Sequence, residues 1–196
     1  AGVMRLSKIA FASPGLFPSS AAMDKYFTKL TLKGIGVETL PYVKMNRINY
    51  VKKREFAAKY VSKRLSYPVI VKPANLGSSI GISMAKNGLT LNAALDNAFR
   101  YDDKVIVEKA LTDFREINCA CIKLGDKYLV SECEEPMTSG EILSFSDKYS
   151  GERKAVLPAE LDGKTASKIK DLTSYIYRKL EFSGAVRIDY LLDGEK

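Results

Sequence analysis

The chain has 196 residues, of which 46% are hydrophobic, so it can bury a real core in one domain or two small ones. It contains no histidine, which excludes every Ser-His, Cys-His and His-metal mechanism and leaves Lys, Arg, carboxylates, hydroxyls and backbone amides for any chemistry. The formal net charge of +8 is spread over the whole length, which favours a pocket for phosphates and carboxylates over a nucleic-acid or membrane surface.

The sequence predicts a cytoplasmic protein. No run of about 18 apolar residues occurs, and the opening stretch, residues 1–12, is too short and too interrupted for a secretory signal. The three cysteines, Cys119, Cys121 and Cys133, are too few for a disulfide scaffold and are poorly spaced for zinc. We expect them to be buried as small hydrophobic side chains.

Helices alternate with short apolar strands along the chain, which favours the α+β class over one parallel sheet. In the first half, the pattern predicts helices over 22–33 and 54–65, extended segments over 37–43, 69–71 and 82–84, and a glycine- and serine-rich loop over 73–81. In the second half, it predicts a helix capped by Thr90, strands over 105–107, 116–123, 128–132 and 185–192, a long loop over 134–158 and a helix over 165–180.

The first candidate site is the lysine that ends the apolar strand 69–71. Lys72 is followed by Pro73 and by the run Gly-Ser-Ser-Ile-Gly over residues 77–81. A fixed cation beside such a loop can hold phosphates, because the loop permits close backbone approach and supplies N–H and O–H donors. A hairpin loop with an exposed lysine explains the pattern equally well, since it is neither a P-loop nor a G-x-G-x-x-G fingerprint.

The second candidate site is the end of strand 105–107. Glu108 and Lys109 close this strand, and Glu116 opens the next one. Exposed backbone at a strand end can pair with an adenine edge, and a nearby carboxylate can accept hydrogen bonds from ribose hydroxyls. By local reasoning, an ordinary strand end with solvated charges is the simpler interpretation.

The third candidate site is the pair Arg187 and Asp189, which share one face of strand 185–192. Charges are costly on a buried face unless they are paired or functional. A structural salt bridge accounts for the pair. An arginine that stabilises a developing oxyanion, beside an aspartate that binds magnesium, accounts for it equally well.

Taken in chain order, these motifs resemble the D-alanine:D-alanine ligase family. The matching segments are Met23-Asp24-Lys25, Val69-Ile70-Val71-Lys72-Pro73, Gly77-Ser78-Ser79 with Gly81, Val107-Glu108-Lys109, Arg115-Glu116-Ile117, Asp147-Lys148-Tyr149 and Arg187-Ile188-Asp189. The resemblance covers residues 13–196 and is most specific over 72–81 and 139–149.

The resemblance implies a role for each matching residue. Those expected to bind ATP are Lys25 and Lys72 on the phosphates, Ser78, Ser79 and Lys148 around the γ-phosphate, Glu108, Lys109, Ala110 and Leu111 along the adenine edge, and Glu116 on the ribose. Those expected to act in catalysis are Ser78, Lys148, Tyr149 and Arg187. Asp189 is expected to bind Mg²⁺, or Mn²⁺ in its place.

The resemblance also implies an ATP-grasp fold, in which two α+β subdomains with antiparallel or mixed sheets hold ATP between them. We expect residues 1–20 to be a leftover linker and residues 21–112 to be the central subdomain with the Gly/Ser loop. Residues 113–196 are then a partial C-terminal subdomain with a mobile loop over 134–158.

The implied activity is ATP-dependent ligation of two D-alanines through an acyl phosphate, for peptidoglycan precursor synthesis. The expected partners are ATP and D-alanine, with no nucleic acid and no membrane. We expect the full-length protein to be a homodimer and this piece to be a monomer. The family also has an N-terminal domain and a Glu-x-Asn pair after the position of Asp189, which this sequence lacks, so we expect the chain alone to bind nucleotide weakly and to be inactive.

Three alternatives remain at this stage. A ligase that makes D-alanyl-D-lactate or D-alanyl-D-serine would share every motif present. A basic nucleic-acid-binding module is the alternative from a different class and predicts salt-sensitive binding, although no basic stripe with interleaved aromatic residues occurs. The third is a degenerate relative without activity, against which the intact Lys72, Ser78, Glu116, Arg187 and Asp189 argue.

Overall fold

The chain forms two compact units in a computed structural model that describes residues 1–137 and 155–194. The first unit comprises residues 21–111, and the second comprises the remaining described residues. Residues 1–20, which the sequence suggests are a linker, contain one helix and the start of a second, and they group with the second unit. Both units combine helices with antiparallel strands, which confirms the predicted α+β class.

The elements are numbered in chain order. The helices are α1 (Gly2–Leu6), α2 (Leu16–Met23), α3 (Lys25–Gly34), α4 (Arg47–Lys52), a 3₁₀ turn (Arg54–Phe56), α5 (Ala57–Ser62), α6 (Gly88–Ala98) and α7 (Gly163–Lys179). The strands are β1 (Tyr42–Asn46), β2 (Val69–Pro73), β3 (Ser83–Ala85), β4 (Lys104–Lys109), β5 (Phe114–Leu124), β6 (Lys127–Val130), β7 (Glu135–Pro136), β8 (Ala155–Val156) and β9 (Val186–Asp193). None of the helices in the described ranges is long and apolar enough to cross a bilayer.

The first unit is built on an antiparallel sheet with the strand order β1-β4-β2-β3. Successive side chains of a strand point to opposite faces, so each strand divides its residues between two environments. One face contributes buried valines to the hydrophobic core beneath α5 and α6, namely Val43, Val69, Val71, Val105 and Val107. The opposite face carries Lys72 and Glu108, and the side chain of Lys29 from α3 reaches it.

Helix α3 begins later than the sequence predicts. The Asp24 carboxylate accepts hydrogen bonds from the N–H groups of Tyr26 at 2.9 Å and Phe27 at 3.2 Å. This is an N-cap, which satisfies donors that lack an intrahelical partner. The prediction of one helix over 22–33 is therefore wrong at its start, because Asp24 ends α2 and starts α3.

The start of α6 also corrects the sequence prediction. Asn87, rather than Thr90, is the N-cap, and its side chain accepts from the N–H groups of Leu89 and Thr90. The Thr90 hydroxyl in turn accepts from the Asn87 N–H at 3.3 Å. The two residues form a capping box, so Thr90 belongs to the first turn of the helix.

The second unit contains an antiparallel sheet with the order β6-β5-β9, and α7 packs on one face of it. Ile117, Cys119 and Cys133 are buried there together with Ile169 of α7. All three cysteines of the chain are buried and unbridged, which confirms the prediction that they behave as small hydrophobic residues. The long loop predicted over 134–158 is wrong at both ends, because β7 pairs with β8; residues 138–154 lie outside the described residues.

Strand β9 alternates between half-buried and exposed residues. Arg187 and Asp189 share one face of the strand, as predicted, but it is the exposed face. The cost of burying charge therefore does not constrain this pair.

Candidate functional site

A buried carboxylate on β4 organises the polar face of the first unit. The register pairs Ile70 with Glu108 and Lys72 with Ile106, so Lys72 and Glu108 lie diagonally on the same face of neighbouring strands. Glu108 is only 5% exposed. Its Oε1 lies 2.7 Å from Lys29 Nζ, and its Oε2 accepts a hydrogen bond from Lys72 Nζ. Lys72 is thus held in an ion pair, which contradicts the alternative of a hairpin loop with an exposed lysine.

The two lysines keep Glu108 ionised. Burial alone would raise the pKa of this carboxyl, because a low-dielectric environment disfavours the charged form. The ammonium groups of Lys72 and Lys29 outweigh that effect and hold the pKa of Glu108 below its ordinary value. The interpretation of the β4 end as solvated charges is therefore wrong for Glu108.

Lys25 places a third ammonium group next to this pair. Its Nζ donates to the carbonyl oxygens of Pro73, at 2.9 Å, and Leu76, and its N–H donates to the Ala74 carbonyl at 2.9 Å. Burial and the nearby Lys72 ammonium lower the pKa of Lys25. We call Lys25, Lys29, Lys72 and Glu108 the lysine–glutamate cluster. It holds three cations for one carboxylate, so an anion such as a phosphate would be stabilised there.

Helix α3 is fixed against the sheet by a second buried ion pair. Lys104 of β4 donates to the Asp24 carboxylate, and Asp24 is only 6% exposed. The Lys104 ammonium also lies 4.8 Å from the centroid of the Phe27 ring. Together with the Lys29–Glu108 contact, this pair sets the position from which Lys25 reaches the Gly/Ser loop.

The Gly/Ser loop after β2 has an unusual backbone. Ser78 and Ser79 have φ values of 52° and 59°, and Gly81 has a φ of 71°. A Cβ atom on Gly81 would come within 2.7 Å of the Pro73 and Tyr101 side chains, so only glycine fits there. Turns of this kind can direct backbone N–H groups to one side and form anion-binding concavities.

The backbone at the end of β4 is less available than the sequence suggests. The N–H of Lys109 donates to the Pro41 carbonyl at 3.1 Å, and the N–H of Ala110 donates to the Pro68 carbonyl at 3.0 Å. These two N–H groups are already used as donors and are therefore not available to an adenine base. Within residues 1–137 and 155–194, the Leu111 N–H donates to no protein acceptor.

The second unit brings together Glu116, Arg187 and Asp189 on one face of β5 and β9. The register pairs Glu116 with Leu191 and places Asn118 opposite Asp189. Arg187 donates from Nε to Asp189 Oδ1 at 2.7 Å and from Nη2 to Oδ2 at 3.1 Å. This hydrogen bonding to Asp189 raises the pKa of Arg187. The structural salt bridge that the sequence allowed is therefore present.

The same face fits a magnesium ion only in part. Asn118 is buried, and its Nδ2 donates to Glu134 Oε2 at 3.3 Å, whereas its Oδ1 has no hydrogen-bond partner among the described residues. An orphaned amide oxygen opposite a carboxylate suits a cation that prefers oxygen ligands. Over the ranges that the structure describes, no group of three or more His, Cys, Asp or Glu residues is arranged so that it could hold a metal ion. Asp189 could supply one carboxylate ligand, and Mg²⁺ commonly relies on substrate phosphates and water for the rest.

The site residues predicted from sequence divide between the units. The structure brings Lys25, Lys72 and Glu108 together in the first unit and Glu116, Arg187 and Asp189 in the second. Lys148 and Tyr149 lie outside the described residues. Lys29 and Asn118 were missed, although each has a sequence signal. Lys29 lies one helical turn beyond Lys25, and Asn118 interrupts an apolar strand.

Comparison with known proteins gives a consistent result. A family profile described as "D-ala D-ala ligase C-terminus" matches residues 31–196. Over 195 residues the chain is 35% identical to a D-alanine–D-alanine ligase of Clostridium novyi, and over 193 residues it is 36% identical to one of Caldicellulosiruptor bescii. These alignments cover 99% and 98% of the chain but 56% and 52% of the relatives, so the chain spans about half of their length. The solved structure of the VanG D-Ala:D-Ser ligase from Enterococcus faecalis is similar, with a TM-score of 0.81 and 30% identity over 96% of this chain and 53% of that one.

Proposed function

The chain belongs to the D-alanine:D-alanine ligase family, and from that premise we propose that it is the ATP-binding part of a ligase that joins two D-alanines. Its α+β fold is the ATP-grasp fold of that family. The observation that carries the proposal is the lysine–glutamate cluster. Lys25 and Lys72 are both held in place there, and burial together with the Lys72 ammonium lowers the pKa of Lys25, so a bound anionic phosphate would favour the charged form of Lys25.

We assign the parts of the nucleotide to the residues as follows. Lys25 and Lys72 bind the phosphates, and Ser78 and Ser79 cover the γ-phosphate. The base edge lies along residues 108–111, where the Leu111 N–H is the donor that supports this assignment. Glu116 accepts from the ribose hydroxyls. Lys148 and Tyr149 are proposed to contact the γ-phosphate and to close over it.

The proposed reaction has two steps. A carboxylate oxygen of the first D-alanine attacks the γ-phosphorus, and the bond to the leaving ADP oxygen breaks. The amine of the second D-alanine then attacks the acyl carbon, the C–O bond to phosphate breaks, and the amine proton passes to solvent. Both steps move anionic charge, and we assign the stabilisation of that charge to Arg187. Magnesium, when bound, would neutralise phosphate charge. Asp189 becomes available to hold it once the Arg187–Asp189 pair opens.

The relatives also support a substrate class. The relatives from Clostridium novyi and Caldicellulosiruptor bescii are each named D-alanine–D-alanine ligase, which supports D-alanine as the second substrate. The similarity to a D-Ala:D-Ser ligase makes D-serine the second candidate for that position.

The proposal is tested by calorimetric titration of the chain with Mg²⁺ and a non-hydrolysable ATP analogue. Lys72→Ala should weaken binding by about tenfold to hundredfold, because it removes a charge-assisted hydrogen bond to phosphate. Lys63→Ala is the matched control, since Lys63 is exposed and forms no ion pair within the described parts of the chain. A folded parent that binds no nucleotide, or two variants that bind equally, would contradict the proposal.

A further inference from the structure

Lys29 is the most deeply buried charged residue within α3, the helix that follows the N-cap Asp24. It is only 8% exposed, although lysine is rarely buried without a partner. Its Nζ lies 2.7 Å from Glu108 Oε1, donates to the Leu40 carbonyl at 3.1 Å and lies 5.1 Å from the centroid of the Tyr42 ring. These contacts enclose the Lys29 ammonium. The geometry therefore does not support direct contact between Lys29 and a phosphate.

The two oxygens of Glu108 are divided between two lysines. Oε1 faces Lys29, and Oε2 faces Lys72. A buried carboxylate that loses one of two cationic partners has an uncompensated oxygen, and such groups take up a proton rather than stay charged. A protonated Glu108 would no longer hold the Lys72 ammonium by charge.

We propose that Lys29 is a positioning residue for the nucleotide site, which keeps Glu108 ionised and oriented so that Glu108 holds the Lys72 ammonium in place for phosphate. This inference rests on the proposed function, because it assigns Lys72 to the phosphates. Lys29 itself touches neither nucleotide nor substrate. Its effect on binding is transmitted by the Glu108 carboxylate.

Among the described residues, the charged and titratable groups on the side of Glu108 are Lys72 from β2, Lys29 and Lys25 from α3, and, on β1, Tyr42 opposite Glu108 and Lys44 two residues further on. Lys25 is anchored to the carbonyl oxygens of Pro73 and Leu76, and the Lys44 ammonium lies 4.5 Å from the centroid of the Tyr26 ring. Tyr42 is uncharged near neutral pH, because a phenol ordinarily ionises at about pH 10 and burial raises the pKa of Tyr42 further. Lys29 and Lys72, which contact the two carboxylate oxygens directly, therefore have the largest effect on the ionisation of Glu108.

The test compares the parent with Lys29→Met, which keeps the length of the side chain and removes its charge. The first measurement is the pH titration of the Glu108 carboxylate carbon by NMR, and the second is the affinity for a non-hydrolysable ATP analogue with Mg²⁺ between about pH 5 and 8. In Lys29→Met, Glu108 should titrate at higher pH than in the parent. The nucleotide affinity of this variant should then fall as the pH is lowered through the pKa of Glu108. The decrease should be at most about tenfold per pH unit, which is the limit when binding is linked to one proton.

Two controls accompany this comparison. Lys33→Met removes an exposed lysine from the same helix, one turn away, and should titrate and bind as the parent does. Lys29→Arg retains the charge and should restore the parental titration. If Lys29→Met does not fold, the double variant Lys29→Met with Glu108→Gln removes one charge of each sign. It should fold, bind nucleotide more weakly than the parent and show no dependence on pH in this range.

The outcomes separate this inference from the proposed function. A parent that binds no nucleotide overturns the proposed function, and this inference falls with it. A parent that binds, together with a Lys29→Met variant whose Glu108 titration and pH profile match those of the parent, overturns the inference alone. A double variant that binds as tightly as the parent also overturns it.

Discussion

Glu108 is the residue on which the first unit's polar face depends. Replacing it with Gln would leave Lys29 and Lys72 without their carboxylate, and breaking a buried ion pair on one side costs about 3–5 kcal/mol. We therefore expect Glu108→Gln to lower the free energy of unfolding by about 3 kcal/mol near neutral pH, measured by urea denaturation. Glu55→Gln, at an exposed glutamate that forms no ion pair in the described ranges, should change it little.

The dependence of the free energy of unfolding on pH, at acidic pH, tests the same residue. The pKa of Glu108 is lowered in the folded chain, so its contribution to stability is present above the unfolded-state pKa and is lost as pH falls through the folded-state pKa. Glu108→Gln should remove that part of the pH dependence. A variant that loses stability with acid as steeply as the parent would contradict this role for Glu108.

The lowered pKa of Lys25 leads us to expect that nucleotide affinity depends on pH in the alkaline range. Its pKa is lowered by burial and by Lys72, and a bound phosphate would raise it again. Binding should therefore take up protons and weaken as pH rises through the lowered pKa of the free chain. Calorimetry at alkaline pH in buffers of different ionisation enthalpy measures this uptake. Lys25→Met should abolish it, and an equal uptake by that variant would assign it to another group.

At the scale of elements, the Gly/Ser loop depends on the conformation of Gly81. Gly81→Ala would place a Cβ within 2.7 Å of Pro73 and Tyr101 and in a left-handed conformation. Gly125→Ala meets the same backbone restriction, with a φ of 58°, but its added Cβ would have no heavy atom of the described residues within 4 Å. We expect Gly125→Ala to lower the free energy of unfolding by about 1 kcal/mol. Gly81→Ala should lower it by an additional amount of about 1–3 kcal/mol, because of the clash.

Chemical denaturation of the two glycine variants measures this difference. The Gly81 variant should also bind the ATP analogue more weakly, because its backbone turn shapes the loop, while the Gly125 variant should bind as the parent does. Equal destabilisation of the two would show that the contacts of Gly81 do not matter.

The sequence predicts the strongly patterned elements well. The strands at β2, β4 and β5, the helix at α7 and the turn between β5 and β6, where Gly125 is left-handed, follow from apolar periodicity and turn residues. Helix α4 was not predicted, because residues 47–52 expose Ile48 and Val51 and so lack an apolar stripe facing the core. The start of α6 was misplaced because Asn87 and Thr90 are both good capping residues, and the structure gives each a different position in one capping box.

The sequence identifies candidate residues but not their geometry. Lys25, Lys72 and Glu108 were identified from the family resemblance, but no pattern in the sequence indicated that Glu108 would be buried between two lysines. That contact depends on the register of β2 against β4 and on the direction of α3, both of which are set by tertiary packing. The same register and the chain crossing at Pro41 and Pro68 determine which N–H groups at the end of β4 remain available.

At the scale of the whole chain, the net charge of +8 has a partial structural explanation. The lysine–glutamate cluster contains three lysines and one carboxylate, so part of the positive excess is concentrated at the proposed phosphate site. This arrangement fits a nucleotide phosphate better than the extended phosphate backbone of a nucleic acid, which requires cations distributed along a surface.

The most direct test of the account is to follow the backbone amide resonances of the isotopically labelled chain while a non-hydrolysable ATP analogue and Mg²⁺ are added. We predict that the largest shifts occur in the Gly/Ser loop, residues 77–81, at Leu111 and at Glu116. Residues of the β5–β6 turn, such as Gly125, should not move. A folded chain whose resonances stay unchanged at saturating analogue, or shift only at sites away from these residues, would contradict the assignment of this chain as the ATP-binding part of a ligase.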